Sequence, residues 1–191
     1  MSDEKQSYWI LRSGGNPDAM LLYSLPEPGE WEGWIDGALF PSPPKQPIVA
    51  RIQPGSEQAE PPIFKEVPQI MTVAFMQALQ AAGVDNIDYY DVEVVSKDGK
   101  VKLDGYKAYN IIGVVSAADK SQTEFSEGNP SRQIDASIRS LAIDVKKARG
   151  LLLFRLAESV DTIVIHDSVK RSLEKHAFKG VQFVPPKLHI S

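Results

Sequence analysis

Two groups of carboxylates stand close together in the chain. Glu27, Glu30, Glu32 and Asp36 surround Trp31 and Trp34, and Asp85, Asp88, Asp91 and Glu93 run past Tyr89 and Tyr90. Two carboxylates are the minimum equipment for general acid–base hydrolysis, provided that burial shifts the pKa of one of them. Between Ile87 and Val95, however, the residues alternate. Tyr89, Asp91, Glu93 and Val95 fall on one face and Tyr90, Val92 and Val94 on the other, the pattern of a half-buried strand. Asp91 and Glu93 are therefore expected to face solvent. With Tyr89 on their side they offer a binding patch, although a plain solvated face is the favoured reading, and neither is a catalytic pair.

Other chemistries lack their residues. The three histidines, His166, His176 and His189, are not at metal-ligand spacing, and no supporting carboxylates lie at short range. His166 ends an apolar strand where a helix begins, so a structural role near a cap at Asp167 is expected. The absence of cysteine excludes thiolate zinc, iron–sulfur clusters, disulfides and a thiol nucleophile. There is no Gly-x-Ser-x-Gly elbow, no Gly-x-Gly-x-x-Gly and no Gly-Lys-Ser/Thr. Lys146-Lys147-Ala148-Arg149 has no interleaved aromatics and reads as a charged loop, not a nucleic-acid patch. The expectation is a protein without catalytic residues, metal or cofactor, and with neither nucleic acid nor membrane as partner.

The elements that carry these residues are partly legible. Pro68 and Gly83 bracket a helix over Gln69–Ala82, uncharged throughout and so largely buried. Its Met71, Phe75 and Met76 are better read as core than as a ligand pocket. Short extended pieces are expected at Tyr8–Arg12, Met20–Ser24 and Ile48–Ile52, and a strand at Ile87–Val95. An Asp98-Gly99 turn leads to a return strand at Val101–Leu103. Further strands follow at Ala108–Val115, Leu141–Ile143, Leu151–Leu156 and Ile163–Ile165. Polar Lys120–Ser131 reads as a surface loop, and so does Gln53–Pro62. A helix capped at Asp167 carries Val169, Leu173 and Ala177 on one face, and Gly180 leads to a last strand, Val181–Val184. The class is α+β: a mainly antiparallel sheet with a few helices and an irregular Pro-rich N-terminal third.

With 191 residues, 42% hydrophobic and 24% charged, the chain is expected to fold as a single domain over residues 1–191. Eleven of its fourteen prolines lie between Pro17 and Pro68. Residues 1–68 should thus be turns and short extended pieces without central strands, and residues 69–191 the α+β core. No apolar run spans a bilayer and no signal peptide is visible, so a cytoplasmic setting is expected. The net charge of −4 conceals an asymmetry. Residues 1–95 hold five Lys/Arg against fourteen Asp/Glu, whereas residues 96–191 hold sixteen against eleven. A charge imbalance of this kind is a cue to a charged partner.

The C-terminal half carries a resemblance. Its residues are Tyr109-Asn110-Ile111-Ile112-Gly113-Val114-Val115, Asp119-Lys120-Ser121, Leu141-Ala142-Ile143-Asp144, Leu153-Phe154-Arg155-Leu156, Ile163-Val164-Ile165-His166-Asp167-Ser168-Val169-Lys170 and Gly180-Val181-Gln182-Phe183-Val184-Pro185. Over Asp88 to Pro185 the chain resembles immunity family eleven of bacterial polymorphic-toxin systems. Gly113, the Phe154-Arg155 pair and the Gly180-x-x-Phe183 step are the more telling positions. The resemblance implies a cytoplasmic, non-enzymatic protein whose partner is a cognate toxin domain. It offers no catalytic residues to carry over. An acidic N-terminal half suits a basic toxin, and toxin contacts are expected at Glu30, Trp31, Glu32, Trp34, Asp36, Asp88, Tyr89 and Asp91. At least two of the aromatic candidates, which include Tyr90, should belong to the core. Three other readings stay open: an enzyme with an unfamiliar carboxylate site, a small-molecule-binding or regulatory module, and an assembly protein. The oligomeric state is not legible.

Overall fold

Residues 7–14, 19–24, 33–56, 59–64, 66–126 and 137–190 are described by a computed structural model of the chain. The first half contains β1 (Tyr8–Ser13), β2 (Leu22–Ser24), β3 (Ile48–Ile52), β4 (Ile63–Phe64), β5 (Ile70–Thr72), α1 (Val73–Ala81) and β6 (Ile87–Val95). There follow β7 (Lys102–Leu103), β8 (Tyr106–Ile111), β9 (Val114–Val115), β10 (Glu124–Phe125), β11 (Ile138–Ser140) and α2 (Val145–Ala148). The chain ends with β12 (Leu153–Leu156), β13 (Ser159–His166), α3 (Asp167–Glu174) and β14 (Val181–Val184), then a 3-10 turn at Pro186–Leu188.

Two sheets carry the architecture. A five-stranded sheet runs β14-β1-β13-β12-β9, and a seven-stranded sheet runs β2-β3-β6-β8-β5-β4 with β7 beside β6. All their pairings are antiparallel except β9 with β12 and β3 with β6. The class is therefore α+β with mainly antiparallel sheets, as the periodicity predicted.

Strand alternation sorts the core into layers. Leu11, Ile163 and Ile165 of the five-stranded sheet meet Met71, Ile87 and Tyr109 of the seven-stranded one. Phe75 and Leu79 of α1 and Val169 and Leu173 of α3 fill the space between, each at most 1% exposed. The outer face of the seven-stranded sheet buries Ile48, Ala50, Ile52, Tyr90 and Val94 under Trp34. The outer face of the five-stranded sheet buries Tyr8, Ile10, Phe154 and Val164 under Ala117, Ile138, Leu141 and Ala148. Each large side chain so buried contributes about 1.5–3 kcal/mol relative to exposure.

Several expectations change. Residues Ile70–Thr72 pair with β4 and β8, so α1 starts at Val73, and the Thr72 hydroxyl accepts from Phe75 N–H at 3.2 Å as its cap. Gly83 ends the helix as expected, with φ +89°. The cap of α3 is His166, whose Nδ1 accepts from Ser168 N–H at 3.2 Å, and Asp167 is the first helical residue. The predicted Ala108–Val115 strand is two strands, parted at Gly113 (φ +111°) and donated to different sheets. Within the predicted Lys120–Ser131 loop, Glu124 and Phe125 form β10, and residues 127–131 lie outside the described ones. Lys146–Ala148 belong to a short helix capped by Asp144 rather than to a loop. Both β1 and β3 have a neighbour on each side, against the expectation of no central strands before Pro68. The prolines of that segment fall between its strands, where no ladder donor is lost.

Candidate functional site

The predicted contact residues that are described do not share one face. Trp34 is 1% exposed, packed edge-on against Phe40 and Tyr90 at 4.9 and 5.4 Å, so it is core and not an anchor for a partner. Asp36 lies two residues on, exposed, its Oδ1 accepting from Ala38 N–H at 3.2 Å. Along β6, Asp88 shares the side of Tyr90, whose hydroxyl reaches it at 3.5 Å, while Asp91 shares the opposite side with Tyr89. Tyr89 is packed against the inter-sheet core rather than exposed among acids. Its hydroxyl is buried without a hydrogen-bond partner, and that burial pushes its pKa up to about 12. Glu30, Trp31 and Glu32 lie outside the described residues.

The solvent side of β6 is largely neutralised by its neighbours. Asp91 is paired with Lys107 of β8, directly opposite it in register. Glu93 meets Lys102 of β7 at 2.7 Å, and Asp98 in the hairpin turn meets Lys100 at 3.0 Å. Cross-strand pairs of this kind order a sheet face and cancel its field.

A different set of polar groups converges where the two sheets part. A cleft of about 580 Å³ opens between β1 and β13 on one side and β4, β8 and the segment before β5 on the other. Leu11, Ile63, Val67 and Ile163 form apolar walls, and Arg12, Glu66, Gln69, Tyr109 and Asp161 supply the polar lining. Behind it lies Arg155 of β12, wholly buried. Its guanidinium donates to the Val160 carbonyl at 2.9 Å, the Trp34 carbonyl at 3.3 Å and Gln69 Oε1 at 2.5 Å. Among the described residues, nothing accepts from its Nε–H. Burial lowers the Arg155 pKa, opposed by the fields of Tyr109, Asp161 and Asp36. Burial likewise raises that of Tyr109.

The far wall is held by the C-terminal segment. Arg12 Nη2 lies 2.7 Å from His189 Nδ1 and donates to the Ile190 carbonyl at 2.6 Å. A guanidinium only donates, so Nδ1 is bare and Nε2 carries the proton. That proton goes to Thr162 Oγ1 at 2.9 Å, and Thr162 donates in turn to Ser159 Oγ at 3.1 Å. Burial, reinforced by the Arg12 charge, pushes the His189 pKa down to about 4.

Reading the residues in order does not find Arg12, Glu66, Gln69, Asp161 or His189, because nothing local links them. Arg155 left a signal, a lone charge inside the apolar run Leu151–Ala157. Among the described residues, no three histidine or carboxylate side chains are grouped to hold a metal ion. No curated protein matches the chain. The family profile described as Immunity protein family (Imm11) matches residues 35–187, which takes in every wall of the cleft except that of β1. The chain belongs to that immunity protein family.

Proposed function

We propose that this protein neutralises a cognate bacterial toxin domain in the cytoplasm by binding it, with no catalysis of its own. The observation that carries this reading is the family match over residues 35–187. Consistent with it, no helix among the described residues is long and apolar enough to cross a membrane. Of the expected contact residues, Asp36 and Asp91 are exposed and Asp88 is half-buried, and they lie on more than one face, so they are candidates for separate contacts with the toxin rather than one surface.

The test is co-expression. The toxic domain encoded beside this gene is expressed in a naive bacterium with and without this protein. The expected result is restored growth and a co-purifying complex of fixed stoichiometry. Titration of the purified toxin should reach full inhibition at one equivalent, whereas an enzyme would inactivate it at a small fraction of that. Absence of both rescue and complex would overturn the reading. It would favour a small-molecule-binding module, for which the cleft has a suitable volume.

A further inference from the structure

The side of β6 that carries Asp91 and Glu93 has a different charge once its ion pairs are formed. Asp91 is neutralised by Lys107 and Glu93 by Lys102. Arg51 of β3 stands on the same side of the sheet. Val49 and Arg51 alternate with buried Ile48, Ala50 and Ile52, and they lie beside Glu93 and Val95 in register. Arg51 is half-buried and has no hydrogen-bond or ion-pair partner among the described residues. On these strands the charge left unanswered is therefore positive, and the acidic composition of residues 1–95 does not carry over to this face.

The side chains around Arg51 are apolar and open to solvent. Leu21 and Tyr23 flank buried Leu22, and the bulge after Leu22 sets Tyr23 beside Arg51. Leu21, Tyr23 and Val49 are 39%, 46% and 42% exposed, and half-buried Val95 stands next to Arg51 across the β3–β6 pairing. They are bare for a geometric reason. The cover given by α1, α3 and the five-stranded sheet reaches Ile87, Tyr89 and Tyr109 but takes in neither Val49 nor Val95. The β2–β3 side of the sheet thus overhangs its cover.

A guanidinium ringed by Tyr23, Val49 and Val95 has the composition of a binding hot spot, in which arginine and tyrosine dominate and a surrounding ring excludes water. Water exclusion strengthens a carboxylate–guanidinium pair, and the planar fork of arginine fits a carboxylate with two parallel bonds. The pairs Asp91–Lys107 and Glu93–Lys102 supply a polar rim of no net charge. A cationic group would meet Arg51 and carboxylates that already have their lysines. The complement is an acidic side chain with apolar neighbours.

We propose that the overhanging face of β2, β3 and β6 docks the toxin domain through an acidic side chain, its carboxylate on Arg51 and its apolar neighbours on Leu21, Tyr23 and Val49. This rests on the toxin-binding reading and names the surface and the partner's chemistry.

The test compares the affinity of the toxin domain for the wild-type protein and for Arg51→Gln, Arg51→Glu, Tyr23→Ser and Arg139→Gln. Arg139 is an exposed arginine on β11 and serves as the control. Melting curves verify that each variant is folded. Arg51→Gln and Tyr23→Ser should each weaken binding about thirtyfold, Arg51→Glu should weaken it further, and Arg139→Gln should stay within about threefold. Lysine exchange at the exposed carboxylates of the toxin domain should then find one that restores binding to Arg51→Glu. Wild-type affinity in the Arg51 variants overturns the proposal. So does a loss no greater than that of Arg139→Gln, which would report only the overall field, or a scan in which no exchange restores binding. Sedimentation of the protein alone tests the other occupant: a dimer abolished by Arg51→Glu would give the face to a second copy and overturn the proposal. A toxin that fails to bind even the wild-type protein defeats the proposed function and this surface with it, whereas equal binding by wild type and Arg51 variants defeats this surface alone.

Discussion

The acids on the solvent side of β6 and those in the inter-sheet cleft have the same chemistry and opposite circumstances. On that side of β6, Asp91 and Glu93 each stand beside a lysine from the neighbouring strand, Lys107 and Lys102. In the cleft between the sheets, Glu66 and Asp161 have no ion-pair partner among the described residues, and the charges near them are arginines bonded to neutral groups: Arg12, which shares the lining, and Arg155, whose charge lies in the field of Asp161. A run of acids in sequence is therefore a poor guide to where negative potential survives. What survives depends on which cations the fold delivers to each carboxylate, and sheet register decides that.

The contrast can be broken most forcefully from behind the cleft. Arg155→Ala removes a wholly buried side chain and strands Gln69 Oε1 and the carbonyls of Trp34 and Val160. A loss of roughly 3–5 kcal/mol is expected from chemical denaturation. An unchanged unfolding midpoint would mean that the cleft does not depend on this buried charge. The C-terminal wall gives the next largest effect. His189 is depressed to about 4 when folded against about 6.5 when unfolded, so the unfolded chain takes up the proton first as pH falls. Its contribution is complete above pH 6.5 and lost progressively down to about pH 4. The loss reaches up to about 3 kcal/mol. Denaturation at stepped pH should show this decline, and His189→Gln should flatten it. The smallest effect belongs to the strand face. Asp91→Asn should change stability by about 0.2–1 kcal/mol, less in high salt, because the Asp91 carboxylate is mostly exposed. A larger, salt-resistant loss would show that the face does more than decorate the sheet.

The sequence was legible where structure is local. Both ends of β6 fall where alternation predicts them, β3 coincides with the extended piece expected at Ile48–Ile52, and Gly83 and Gly99 close the turns they were expected to close. It was misleading where a distant strand intervenes. Ile70–Thr72 has a helical pattern of apolar residues, yet pairing with β4 and β8 claims it for a sheet. The run from Ala108 to Val115 is uniformly apolar enough for one strand, and only tertiary context turns Gly113 into the crossing between sheets. At Gly37 that crossing is close enough that an added Cβ would lie 2.5 Å from Val114 Cγ2. The cleft was illegible because its polar groups come from residues 12, 66, 69 and 161, on four separate segments. Trp34 was misread because a tryptophan among acids looks the same in sequence whether it faces a partner or, as here, Phe40 and Tyr90.

The pairing of β1 with both β13 and β14 also sets a timetable for synthesis. Residues 8–13 leave the ribosome well before their two neighbours, residues 159–166 and 181–184. At about 5–20 residues per second, the first strand waits roughly ten to thirty seconds for either. Until then one wall of the cleft between the sheets is missing. If the proposed function holds, a stock of finished molecules laid down before the toxin arrives is worth more than a burst of new translation.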